Sequence, residues 1–368
     1  MVQWTRSPVT ETTAIPARIL ILGASYGSLL GTKLLMAGHR VTLVCTRGTA
    51  ELINREGTVV RMPVKGRAEP VELASRALPG VLDASAPEDV NPSAYDLVVL
   101  GMQEAQYGAP GVRGLMGRIA QSGKPCLAIM NMPPLPYLHR IPGLDVAALR
   151  GAYTDPSVWD GFDPALVTLA SPDPQAFRPA DQPKNVLQVG LPTNFKAARF
   201  ASDAHTALLR RLEADIEQAR FEGLEIPVKL KVHDSAFVPL AKWPMLLAGN
   251  YRCIRPAAMI PIQQAVHGDL DASRAVYTQV ASLCLRLGAQ PEDLVPFEKY
   301  AQAAQSLARP SSAARALFGG ARHIERVDSL VLGIARQSGG ATPVLEEIVS
   351  LVDDRLSRNR AAQELAAA

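Results

Sequence analysis

The sequence predicts an α/β protein: a mostly parallel sheet with helices on both faces forms the N-terminal domain, and an all-helical domain follows it. Three observations carry this. Short continuous apolar runs near the N-terminus have the length and composition of strands buried on both faces. A glycine-bearing turn joins the first run to leucines at helical spacing, and another strand follows at once. Beyond Asp234 the patterning is helical only. At 368 residues, 48% hydrophobic, the chain is long enough for two domains and a sizeable core.

The elements read in order as follows. Residues 1–16 are polar and broken by proline, so they predict a flexible extension without the apolar core of a signal peptide. Ile19-Leu20-Ile21-Leu22 is the first strand. Gly23-Ala24-Ser25-Tyr26-Gly27-Ser28 is the turn, Leu29, Leu30, Leu34 and Leu35 mark a helix, and Gly38 stops it. Arg40-Val41-Thr42-Leu43-Val44 is the second strand. Further strands are expected at 96–100 and 126–130, with a helix at 114–121 between them. Residues 133–195 are rich in Pro, Asp and Gly and predict loops with short strands such as 187–189; a loop region this long is usually functional or mobile. Helices are expected at 203–221, 272–287, 327–337 and 345–358. The expected division is an extension at 1–16, an N-terminal domain at 17–230 and a helical domain at 231–368.

Charge and cysteine usage exclude some functions. Lys+Arg is 38 against 35 for Asp+Glu, a net charge of +3, which gives no reason to expect a nucleic-acid or anionic-membrane partner. Cys45, Cys126, Cys253 and Cys284 form no CxxC pair and no Cys/His cluster, so they predict core thiols in a reducing compartment and no metal site. No apolar run approaches the ~20 residues of a membrane span, and a cytoplasmic protein is expected.

A strand ending in a glycine turn that opens a helix is a phosphate site, because the first helical N–H groups are unpaired and the helix dipole is positive there. Gly23 makes the turn and Gly27 permits close approach; Ala24, Ser25, Tyr26 and Ser28 complete the lining. Ser25 replaces the second glycine of G-x-G-x-x-G, and the turn is one residue short. The βαβ context still predicts a Rossmann-type dinucleotide-binding domain. After the second strand comes Val44-Cys45-Thr46-Arg47, without the carboxylate that would bind a ribose 2′-hydroxyl. Arg47 and Thr46 instead suit a 2′-phosphate, so NADPH is expected. Gly23, Gly27 and Gly31 also admit a short-chain dehydrogenase turn, but none of the eight tyrosines has a lysine four residues on.

Lys242 lies in the nearly apolar stretch 237–246, and only nine of the basic residues are lysines. Such a lysine either snorkels to the surface or is partly buried with a lowered pKa, and the second case makes a competent general acid.

The combined pattern resembles the ketopantoate reductase (2-dehydropantoate 2-reductase) family. The resemblance rests on 21–29, 37–43, 95–100 and Asn131-Met132, then 234–250, Arg309-Pro310-Ser311-Ser312 and Arg322-His323-Ile324-Glu325. It implies a Rossmann domain followed by a helical domain, with the active site in the cleft between them. It places Lys242 at the family's catalytic lysine, Glu325 at its active-site glutamate and Asn131 at the asparagine after a central strand, so all three are expected to be catalytic, and Asn131 and Gln103 are also expected to line the cofactor. Asn250 falls on a substrate-binding asparagine, about 80° round one helix from Lys242. Ser312, or Ser311, falls on a serine that binds the substrate carboxylate; a helix N-cap is the other reading, and the two roles are compatible. Glu325 is expected to orient Lys242 or to accept a substrate hydroxyl. Departures are Gln103-Glu104 where the family has a lysine near cofactor and substrate, Leu246 for an asparagine, Met132 for a glycine and Leu240 for a tryptophan. They argue for a substrate other than ketopantoate. The expected activity is NADPH-dependent reduction of a small 2-oxo acid, the chain acting as a homodimer. The alternatives are an opine- or imine-type dehydrogenase and a non-catalytic NADPH-binding protein.

Overall fold

The computed structural model describes residues 15–340 and 343–367. Most of the expected extension, 1–14, lies outside the described residues.

Fourteen strands are described: β1 Arg18–Leu22, β2 Arg40–Val44, β3 Val59–Met62, β4 Val71–Ala74, β5 Val81–Ser85, β6 Leu97–Leu100, β7 Cys126–Ile129, β8 Val167–Ser171, β9 Gln175–Phe177, β10 Val186–Leu191, β11 Phe195–Ala198, β12 Arg220–Phe221, β13 Leu224–Glu225 and β14 Leu230–His233. Eight form the main sheet in the order β14-β11-β8-β7-β6-β1-β2-β5. Every pair is parallel except β8–β11. The central strands β1, β6 and β7 have almost no exposed residue, as continuous Ile/Leu/Val runs require when both faces are covered. Apolar side chains of the two faces form separate clusters, and one of them runs on into the helical part.

The region 133–195 is more ordered than its composition suggests. It supplies β8, β9, β10 and the start of β11. β10 pairs in parallel with β3, Val186 opposite Val59, in a second sheet of order β4-β3-β10-β9. That pairing spans more than a hundred residues of chain, so no local pattern announces it. The helix expected at 203–221 is Asp203–Gln218. It ends early because Glu222 and Gly223, both at positive φ, turn the chain into the β12–β13 hairpin.

After β14 the chain is largely helical, with helices Ile262–His267, Leu270–Arg286, Phe297–Ala304, Ser312–Phe318, Val327–Gln337 and Pro343–Ala367. Before them, 239–253 is one irregular helical rod whose last turns include a π segment, Leu246–Asn250. Two local causes are visible. Pro244 lacks the N–H a regular helix would use, and the Tyr300 hydroxyl inserts to donate to the Met245 carbonyl at 3.1 Å. Gly249 makes room, since a Cβ there would overlap that hydroxyl. All four cysteines are free thiols, three of them buried. Among the described residues no helix is long and apolar enough to cross a membrane.

Candidate active site

The strand order reverses at β1, which has β2 on one side and β6 on the other. Ligands in open α/β sheets bind at the carboxyl ends of the strands at such a point. Gly23 follows β1 with φ +97°, and a Cβ on it would stand 2.8 Å from the Gly101 carbonyl oxygen at the end of β6. The Gly23 N–H donates to the Val44 carbonyl at 2.9 Å, tying the turn to β2. A Cβ on Gly27 would be 2.7 Å from Ile21, so the helix Tyr26–Met36 can lie this close to β1 only with glycine there.

Ser25 is the N-cap of that helix, yet its side chain makes no capping bond, and the first turn holds no acidic residue. The Ser28 hydroxyl donates to the Ala24 carbonyl at 2.6 Å. The first helical N–H groups thus have no side-chain acceptor, and the chain around Gly23–Ser28 fits a dinucleotide's diphosphate. The Tyr26 hydroxyl donates to the Pro174 carbonyl at 2.9 Å, and burial pushes its pKa up to about 12.

Arg47, expected to stand free for a 2′-phosphate, is already engaged. Its guanidinium lies 2.6 Å from Glu88 and 3.1 Å from Asp89, in the turn after β5. The Thr46 hydroxyl donates to that of Thr49 at 3.0 Å. The two acidic residues lie some forty positions away in the chain, so the sequence around β2 could not show them.

Lys242 is mostly sheltered, its side chain 22% exposed. Nζ donates to the Pro172 carbonyl at 2.7 Å and lies 3.3 Å from the Asp173 carboxylate. Burial lowers its pKa, while Asp173 and, from further off, Glu325 oppose the shift. One of its three N–H donors has no partner among the described residues. Asp173 also reaches Lys196 at 3.3 Å, and its two lysine neighbours hold its carboxyl below the usual range against the effect of burial. Sequence reasoning missed Asp173; its one signal was an aspartate set between Pro172 and Pro174. The expected contact of Glu325 with Lys242 is not made, and Asp173 holds the ammonium instead.

Glu325 accepts from Asn131 Nδ2 at 3.3 Å, just beyond the end of β7, and its backbone carbonyl accepts from the Tyr251 hydroxyl at 2.5 Å. Burial raises its pKa to about 7, with the Asn131 side chain opposing. The nearby Glu104 adds to the rise; it is 1% exposed and held by the Thr154 N–H and hydroxyl at 3.0 and 2.9 Å. Asn131 Oδ1 is buried without a hydrogen-bond partner. Gln103 is exposed at the start of the turn after β6, its N–H donating to Gln106.

Ser311 and Ser312 have different positions. Ser311 is 2% exposed and caps the helix Ser312–Phe318: its hydroxyl accepts from Ala314 N–H at 3.1 Å and donates to the Asn250 carbonyl at 2.7 Å. The N-cap, one of its two compatible readings, is formed. Ser312 is exposed, and its hydroxyl is free among the described residues. Asn250 closes the π segment, so the regular spacing of 100° per residue does not hold between it and Lys242. Its side-chain amide is likewise unpartnered.

No protein-family model and no curated protein sequence matches the chain. Solved structures do. A protein from Ralstonia solanacearum MolK2 described as a ketopantoate reductase has a TM-score of 0.67 at 15% identity, covering 93% of this chain and 98% of that one. The 2-dehydropantoate 2-reductase from Methylococcus capsulatus gives 0.63 at 15% identity, covering 93% and 97%. D-Mandelate dehydrogenase, in complex with NADH, gives 0.59 at 13% identity, covering 93% and 99%. The chain has the fold of these proteins, an α/β part with a parallel sheet followed by a largely helical part.

Proposed function

We propose that the protein is a nicotinamide dinucleotide-dependent oxidoreductase that reduces the carbonyl of a small 2-oxo acid, with Lys242 as general acid. The observation that carries this is a sheltered ammonium with one unspent N–H, held by Pro172 and Asp173, while the next residue, Pro174, bonds Tyr26 of the glycine turn. A proton donor and a dinucleotide turn are thereby brought to one segment of chain. The dinucleotide, when bound, supplies the hydride. Lys242 delivers the proton to the carbonyl oxygen as negative charge develops there. Burial makes the ammonium willing to release that proton, and Asp173 keeps it charged until then. The unpaired Asn131 Oδ1 and the carboxyl of Glu325 suit a substrate hydroxyl, and Asn250 and Ser312 suit the substrate carboxylate.

The substrate side lacks a cation at Gln103-Glu104 and an amide at Leu246, which favours a 2-oxo acid less polar than ketopantoate. NADPH remains the proposed cofactor, on condition that Arg47 exchanges Glu88 and Asp89 for the 2′-phosphate. Pairing of two chains belongs to the same reading, and sedimentation tests it. The central test is dinucleotide oxidation with a panel of 2-oxo acids. Lys242→Ala is expected to lower turnover by about two to four decades while dinucleotide affinity stays within about twofold. Unchanged turnover in that variant would overturn the assignment.

A further inference from the structure

Residues 172–178, of which 175–177 are strand β9 paired with β10, form a strap beside the glycine turn. One end is fixed to Lys242 through the Pro172 carbonyl, and its middle to Tyr26 through the Pro174 carbonyl. Its far end is fixed by Arg178, whose Nη2 donates to the Ala24 carbonyl at 2.8 Å. That is the only hydrogen bond Arg178 makes among the described residues, and no carboxylate there lies within ion-pair distance of it. Most of its five N–H donors are unspent. Burial raises the pKa of the Cys45 thiol just after β2, and the Arg178 charge opposes that rise. Arg47, by contrast, is neutralised by two carboxylates.

We propose that Arg178 is the cation that closes on the diphosphate of the bound dinucleotide, facing the N-terminus of the helix Tyr26–Met36. This rests on the dinucleotide reading above. The diphosphate is chosen over a 2′-phosphate because the guanidinium is anchored on Ala24, inside the turn, and not on Thr46 or Arg47. A planar fork can grip two phosphate oxygens together, which a lysine cannot. The strap would thus link cofactor binding to the segment that shelters Lys242.

The test is equilibrium binding, by calorimetry, of NADPH, NADH and ADP to the full chain. Arg178→Ala is expected to weaken all three by about 10- to 100-fold, in similar proportion, since charge-assisted hydrogen bonds contribute on that scale. Arg178→Lys should recover only part of the loss. A loss confined to NADPH would overturn the proposal, as would affinities within twofold of wild type. If wild type binds no dinucleotide, the cofactor reading itself fails, which is a different result. A second measurement needs no variant: modification of Arg178 by phenylglyoxal, read by peptide mass, should be slowed by ADP and not by adenosine. Equal rates with and without ADP would also sink it.

Discussion

Replacing Asp173 with asparagine removes a charge and keeps the shape. At 3.3 Å and an effective dielectric of about 20, the Lys242–Asp173 attraction is about 5 kcal/mol. Both side chains keep some exposure, 22% and 17%, and Glu325 still acts on the lysine. A net loss of about 1.5–3 kcal/mol is therefore expected, or roughly 10- to 100-fold in the equilibrium that keeps Lys242 charged. The sign follows from the burial. Desolvation already lowers the lysine pKa and Asp173 opposes it, so the variant gives up its proton at lower pH. Turnover should fall chiefly on the alkaline side of the profile, by up to about 10- to 100-fold, and much less on the acidic side. The assay is the pH profile of kcat from dinucleotide absorbance, with Asp173→Glu as the conservative control. A profile that superposes on wild type after scaling would refute the argument, because a merely structural aspartate would lower activity without moving the alkaline limb.

Two further predictions concern the framework. Lys33 is 1% exposed, its Nζ donates to the Ile226 carbonyl at 2.8 Å, and burial lowers its pKa to about 7. The folded state then binds fewer protons than the unfolded state between about pH 7 and 10.5, so this group's destabilising contribution fades as pH rises through that window. Wild type should gain about 2 kcal/mol between about pH 7 and 9 in urea unfolding relative to Lys33→Met, and equal gains would refute the assignment. Ser311→Ala should cost about 2 kcal/mol, from the lost cap and the unsatisfied Asn250 carbonyl, with KM unchanged. A raised KM at unchanged stability would return Ser311 to the substrate.

The first βαβ unit was legible because each of its signals is local: an apolar run, two glycines, leucines at helical spacing. The glycines are required by contacts with Gly101 and Ile21, but those contacts only confirm a pattern already visible in the chain. Lys242 stood out for the same reason, as a lone charge in an apolar stretch. What stayed hidden depends on distant pairing. β10 is held by β3, Arg47 by Glu88 and Asp89, and Lys242 by Asp173, each partner far away in sequence. The π segment was hidden too, because the group that widens it belongs to Tyr300 on another helix.

The lysine comes from the helical half of the molecule, and the carbonyl and carboxylate that hold it come from the sheet half. Its pKa therefore depends on contacts made between the two halves. Water admitted at that junction would hydrate the ammonium and raise its pKa toward the ordinary value, so in the proposed reaction the contact between the two halves sets how readily Lys242 gives up its proton.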